Sequence, residues 1–212
     1  MKKSISLIIA ILSVFFSYGI NDGYTKAMNS TIKTLYEANS IEEYQQCANI
    51  FERIANTEKD EWLPLYYASY ALVMISYQEQ DLSKKDMVLD KAQQFLDQAL
   101  DIAPDESELF VLLALLYPSR IMVDPMGRGM EYMGKLEASF EKAKELNPDN
   151  PRTYFLEANT ILNLPESMGG GKDLAKPIFE LAEQKFEAFV PESEIHPNWG
   201  EEANKAELLK LN

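Results

Sequence analysis

Apolar positions recur along this chain at helical spacing. YTKAMNSTIKTLYEAN sets Ala27, Met28, Ile32 and Leu35 on one face, and SIEEYQQCANIFERIA aligns Tyr44, Cys47, Ile50, Phe51 and Ile54. Steps of three and four residues are those of an amphipathic helix. Ser40, with Glu43 three residues on, has the spacing of a capping box, so the second of these helices is expected to start there. Further along, WLPLYYASYALVMISY, ELFVLLALLY and RTYFLEANTILNL each set a small residue among bulky ones: Ser69, Ala114 and Ala158. No useful stretch alternates with the two-residue period of a strand. The final GEEANKAELLKL predicts a short helix with Ala203, Ala206, Leu209 and Leu211 as its apolar residues.

The pattern repeats. KAQQFLDQALDIAP, KLEASFEKAKELNP and the looser LAEQKFEAFVP end at Pro104, Pro148 and Pro191, 44 and 43 residues apart. Ala92, Leu96 and Ala99 precede Pro104 by 12, 8 and 5 residues, and Leu136, Phe140 and Ala143 precede Pro148 by the same offsets. The small residues Ser69, Ala114 and Ala158 are 45 and 44 apart. Each unit is therefore a first helix with a notch, a second helix with a small/large/small stripe, and a proline that stops it.

These units resemble the tetratricopeptide repeat over about residues 62–191. The resemblance implies an all-α fold, a right-handed αα-superhelix of about three repeats. The expected organisation is a signal peptide over 1–19, an N-terminal helical hairpin over 20–58, repeats over 59–104, 105–148 and 149–191, and a cap helix over 192–212. The family's unit is about 34 residues, so these are about ten longer. The extra residues fall between the two helices of each unit and predict three loops at one end of the stack. They are QEQDLSKKD, in which Ser83 is placed to cap the next helix, PSRIMVDPMGRG and NLPESMGGGKDLAK.

Composition narrows the function. Lys2 and Lys3, an uncharged run from Ile5 to Phe16 and small or polar Ser17 and Gly19 form a secretory signal, with cleavage after Gly19 or retention as an anchor left open. Its removal leaves 18 basic against 34 acidic residues. Such a surface repels phosphate backbones, which argues against nucleic acid as a partner. Stable membrane insertion after signal removal is not expected, and the location is periplasmic or secreted. The single Cys47 is either a core residue or the half of an intermolecular disulfide. One histidine, His196, without a second imidazole or thiol beside it, argues against a zinc site and against a base–nucleophile pair. Trp199 is expected to pack the cap helix onto the last repeat. No catalytic residue, cofactor or metal is expected, and the chain reads as a non-catalytic binding module.

Two candidate sites follow. In tetratricopeptide proteins the first helices line a concave groove. That resemblance places Tyr66, Tyr70 and Tyr77, with Arg152, Phe155 and Asn159, against a protein or peptide partner. Asn163, one turn beyond Asn159, offers a second amide to an extended backbone. The competing reading makes the tyrosines core, packed on the N-terminal hairpin. The alternative site is a small-ligand, possibly anion, site in the two later loops, with Arg120, Asp124, Arg128 and Lys172. There Gly169, Gly170 and Gly171 before a helix are either an N–H-rich cradle or a plain turn.

Overall fold

The structure, a computed structural model, describes residues 23–211. The signal segment 1–19 lies outside the described residues. Helix is described over 23–37 (α1), Ile41–Thr57 (α2), Leu63–Gln78 (α3), Leu82–Ile102 (α4), Ser107–Val123 (α5), Pro125–Leu146 (α6), Pro151–Asn163 (α7), Lys172–Ala188 (α8) and Glu201–Leu211 (α9). A 3₁₀ turn, Glu166–Met168, precedes α8. No strand occurs among the described residues, so the fold is all-α.

Helices pack chiefly on their chain neighbours, and α3·α5 and α5·α7 contacts join the first helices of successive pairs. The Ala/large/Ala stripes Ala92–Leu96–Ala99 and Leu136–Phe140–Ala143 are buried, as are the notches Ser69, Ala114 and Ala158. The Ser69 hydroxyl donates to the Ala92 carbonyl at 2.9 Å, so that notch both admits α4 and bonds to it. Helices α3 and α5 are apolar on nearly every side because each is covered on several faces. α5 divides the core: Leu109, Leu112, Leu113 and Leu116 join the cluster with α1–α4, and Val111 and Ala114 join the cluster with α6–α9.

The extra residues of the first two units are helix, not loop. α5 runs through Pro118 and stops only at Asp124, whose carboxylate accepts from the Gly127 N–H at 2.9 Å and starts α6. Pro125 at the first turn needs no N–H partner, so the Pro/Gly/Met segment continues as helix. Ser40 and Glu43 form the expected capping box. α4 is capped by Asp81, not Ser83: its carboxylate accepts from the Ser83 and Lys84 N–H groups. Cys47 is buried in the core, and burial pushes its thiol pKa up. The α9 face is Asn204, Leu208 and Leu211, with Leu209 exposed. The register turns because the Asn204 amide donates to the Phe179 carbonyl at 3.1 Å.

Candidate functional site

Residues 189–200, between α8 and α9, return across the N-terminal halves of α7, α5 and α3 to α1. The Ile195 carbonyl accepts from the Tyr67 hydroxyl at 2.9 Å, the Trp199 indole donates to the Tyr66 hydroxyl at 2.8 Å, and Trp199 packs on Tyr70 with ring centres 5.4 Å apart. The Asn198 N–H approaches the Tyr36 hydroxyl at 3.5 Å, and His196 meets Trp62 edge to face. We call this segment the strap. It covers the face assigned to a partner. Tyr66 is fully buried and Tyr70 is packed under Trp199, and burial drives both phenol pKa values up. Both side chains are taken up by contacts with Trp199 on that face. Trp199 packs the strap onto α3 rather than simply the cap onto the last pair.

Arg152 also leaves the partner-binding set. Its side chain is 0% exposed and faces Glu108, 2% exposed, with Nε–Oε distances of 3.0 and 2.9 Å and Nη2–Oε1 2.5 Å. Burial alone lowers the guanidinium pKa, but the Glu108 carboxylate overcomes it and the net shift is upward. The guanidinium lies 4.4 Å from the Phe189 ring centre and reaches the Trp199 carbonyl at 3.5 Å. It fastens the strap to α5 and α7.

The loop cluster is not assembled either. Arg120 and Arg128 converge on Asp86 of α4, each with a 2.6 Å contact, and Arg120 reaches Asp90 at 2.7 Å. These bonds tie α4 to α5 and α6, and the Arg128 hydrogen bonds lead in holding the Asp86 carboxyl down to about 2. Asp124 caps α6. Lys172 is exposed at the start of α8 and takes no part in these bonds to Asp86 and Asp90. The Gly169, Gly170 and Gly171 N–H groups donate to the Glu166, Pro165 and Ile161 carbonyls. The glycine run is a closed turn with no spare N–H cradle in those three residues.

The C-terminal halves of the first helices remain open. Tyr77 of α3, Ala114, Leu115, Pro118, Ile121 and Met122 of α5, Met133 and Leu136 of α6, and Phe155, Leu156, Asn159, Thr160 and Asn163 of α7 line a groove of about 660 Å³. That size falls within the roughly 300–1,000 Å³ of small-molecule sites. Three of the six expected groove residues, Tyr77, Phe155 and Asn159, lie here. The Tyr77 hydroxyl donates to the Leu115 carbonyl at 2.8 Å. The amides of Asn159 and Asn163 each donate one N–H to the Phe155 and Asn159 carbonyls of their own helix, leaving an oxygen and a second N–H for a ligand. Pro118 has no N–H, so the Ala114 carbonyl loses its in-helix donor beside the groove. Sequence reasoning missed Ile121 and Met122 because their segment read as loop, and Met133 because it falls between that segment and the second-helix stripe.

A second cleft, about 540 Å³, lies at the other end between α5, α8 and the strap, lined by Glu106, Glu108, Asp149, Lys185, Glu192 and His196 among others. His196 is buried, neither ring nitrogen has a hydrogen-bond partner although Glu192 stands 4.0 Å from Nε2, and burial lowers its pKa. No group of His, Cys, Asp and Glu suited to a metal ion occurs among the described residues, and no described helix is long and apolar enough to cross a membrane.

No protein-family model matches this chain, and no curated protein matches it. Among solved structures it is similar to the HusA haemophore from Porphyromonas gingivalis, at TM-score 0.79 and 30% sequence identity, over 89% of this chain and 92% of that one. Likeness of backbone and of sequence over nearly the whole of both chains places them together: the chain belongs to the family of the HusA haemophore.

Proposed function

We propose that this protein is a secreted, non-catalytic carrier that binds haem or a related planar macrocycle in the groove between α3, α5, α6 and α7. The observation that carries the reading is the groove itself: concave, predominantly apolar, bordered by a few polar groups, and built in a relative of a haemophore. A flat aromatic ring gains most from this kind of wall, with Leu115, Ile121, Leu136, Phe155 and Leu156 covering its faces. Tyr77, Asn159, Thr160 and Asn163 offer oxygen atoms at the edge. Met122 and Met133 are the two sulfur atoms in the lining, and His196 lies in the other cleft.

Absorbance titration with haemin tests the proposal. Asn159→Trp fills the groove without removing a bond between helices, because the Asn159 amide bonds only its own helix. Saturable binding by the native chain, weakened at least about tenfold in Asn159→Trp, is the expected result; about 1.4 kcal/mol accounts for each tenfold. Absence of saturable binding, or equal binding by the variant, overturns it. An extended peptide of a protein partner is the second reading, favoured by the strap, which shows that the first-helix face can hold non-helical chain. A peptide ligand would leave haemin binding unsupported and be displaced by the same Trp.

A further inference from the structure

We infer that the groove is a redox-sensitive site in which peroxide converts Met122 to its sulfoxide and thereby weakens ligand binding. The inference rests on the groove reading above and adds its regulation. Four methionines gather where α5 gives way to α6, and a fifth, Met168, sits in the 3₁₀ turn before α8. Met126 is 96% exposed, Met130 93%, Met168 67% and Met122 50%, while Met133 is half-buried. Exposed thioethers in such number are uncommon on an inert surface, where charge is the norm. Met122 is the one that is both widely exposed and part of the groove wall. The lone thiol does not compete as a target, because Cys47 is buried in α2 and its pKa is raised, keeping it from the thiolate form that oxidants attack.

The chemistry balances with peroxide as oxidant. The thioether sulfur attacks one peroxide oxygen with its lone pair, the O–O bond breaks, and the sulfur loses two electrons to form S=O. The departing hydroxide takes the remaining proton and leaves as water. A flexible apolar side chain thus becomes a polar, chiral one. In the groove wall its oxygen stands in a lining that is mostly apolar, Leu115, Ile121, Leu136 and Leu156 among it, and covering it with a macrocycle strips water that the macrocycle's face does not replace.

The test treats the folded protein with hydrogen peroxide, maps sulfoxides by peptide mass spectrometry, and titrates treated and untreated samples with metal-free protoporphyrin, which cannot itself consume peroxide through iron. Sulfoxide at Met122 with about tenfold weaker binding is the expected result. Met122→Leu, whatever its own starting affinity, keeps the ratio of treated to untreated affinity near one, and Met126→Leu/Met130→Leu keeps the native loss. Unchanged binding despite Met122 sulfoxide, or an equal loss in Met122→Leu, overturns the inference alone. A native chain that binds neither porphyrin nor haemin before treatment overturns the groove reading, and this inference with it.

Discussion

Replacing Arg152 by Met should destabilise the protein by about 3–5 kcal/mol, the range for removing one partner of a buried ion pair. The size follows from what is left behind. Glu108, 2% exposed, would keep only the Asn150 amide at 2.7 Å while losing three guanidinium contacts. Met preserves most of the arginine stem's packing, so lost apolar contact contributes little. At about 2–4 °C per kcal/mol for a chain of this length, the midpoint of thermal unfolding should drop by roughly 6–20 °C. Urea unfolding at pH 7, followed by the fluorescence of Trp62 and Trp199, measures the free energy. The double variant Arg152→Met/Glu108→Met removes the stranded charge and should recover all but about 1–2 kcal/mol, since apolar replacement of a whole buried pair is often near neutral. A single-variant loss below about 1 kcal/mol, or a double variant as unstable as the two single losses summed, would refute the reasoning.

Asp86 gives an acid limb. Its folded pKa, about 2, lies below the unfolded value, so its stabilisation is present at neutral pH and is lost as pH falls from about 5 towards 2. Asp86→Asn should remove about 1–2 kcal/mol at pH 7 and flatten that limb in urea unfolding. His196, whose pKa burial lowers, acts in a higher window: the unfolded chain takes the proton first, so stability falls as pH drops below about 6.5. His196→Leu should abolish that change in Trp fluorescence and stability, and persistence of the change would assign it elsewhere. Gly170→Ala should cost about 1–3 kcal/mol by overpacking, because a Cβ there runs into the Leu164 backbone, whereas Gly134→Ala, in open space on α6, should stabilise by up to about 1 kcal/mol. Paired thermal melts check both signs.

The helices were legible wherever burial is written as a period. The stripe from Ala92 to Ala99 and its counterpart from Leu136 to Ala143 are buried as their spacing requires. Ser40 and Glu43 cap α2 because a cap is a local interaction, readable from four residues. The segment around Met122 was misread because Pro118, Pro125 and Gly127 look like loop residues, while an N-capping Asp124 and a first-turn proline are equally compatible with one helix ending and another starting. Half of the six residues that the first-helix resemblance assigned to a groove, Tyr77, Phe155 and Asn159, line the observed one. Tyr66, Tyr70 and Arg152 were lost to the strap, whose residues have no period and whose partners stand more than a hundred positions away, as Tyr67 and Ile195 do. The Arg120 and Arg128 site failed for a related reason. A basic residue looks available in sequence, and only the fold shows that Asp86 already holds it.

The strap alters how this chain comes apart. An open stack of helix pairs can fray from either end, one unit at a time, because each pair depends only on its neighbours. Here Ile195 is tied to Tyr67 across 128 positions and Trp199 to Tyr66 across 133. Loss of the last helices would therefore pull a lid from the first ones, and the N-terminal pair would feel damage made at the far end. Unfolding should be all-or-none rather than stepwise, and amide protons of α3 should exchange as slowly as those of α7. Assembly carries the matching delay: the helix pairs form from local contacts, but the closing tie waits until the last residues arrive.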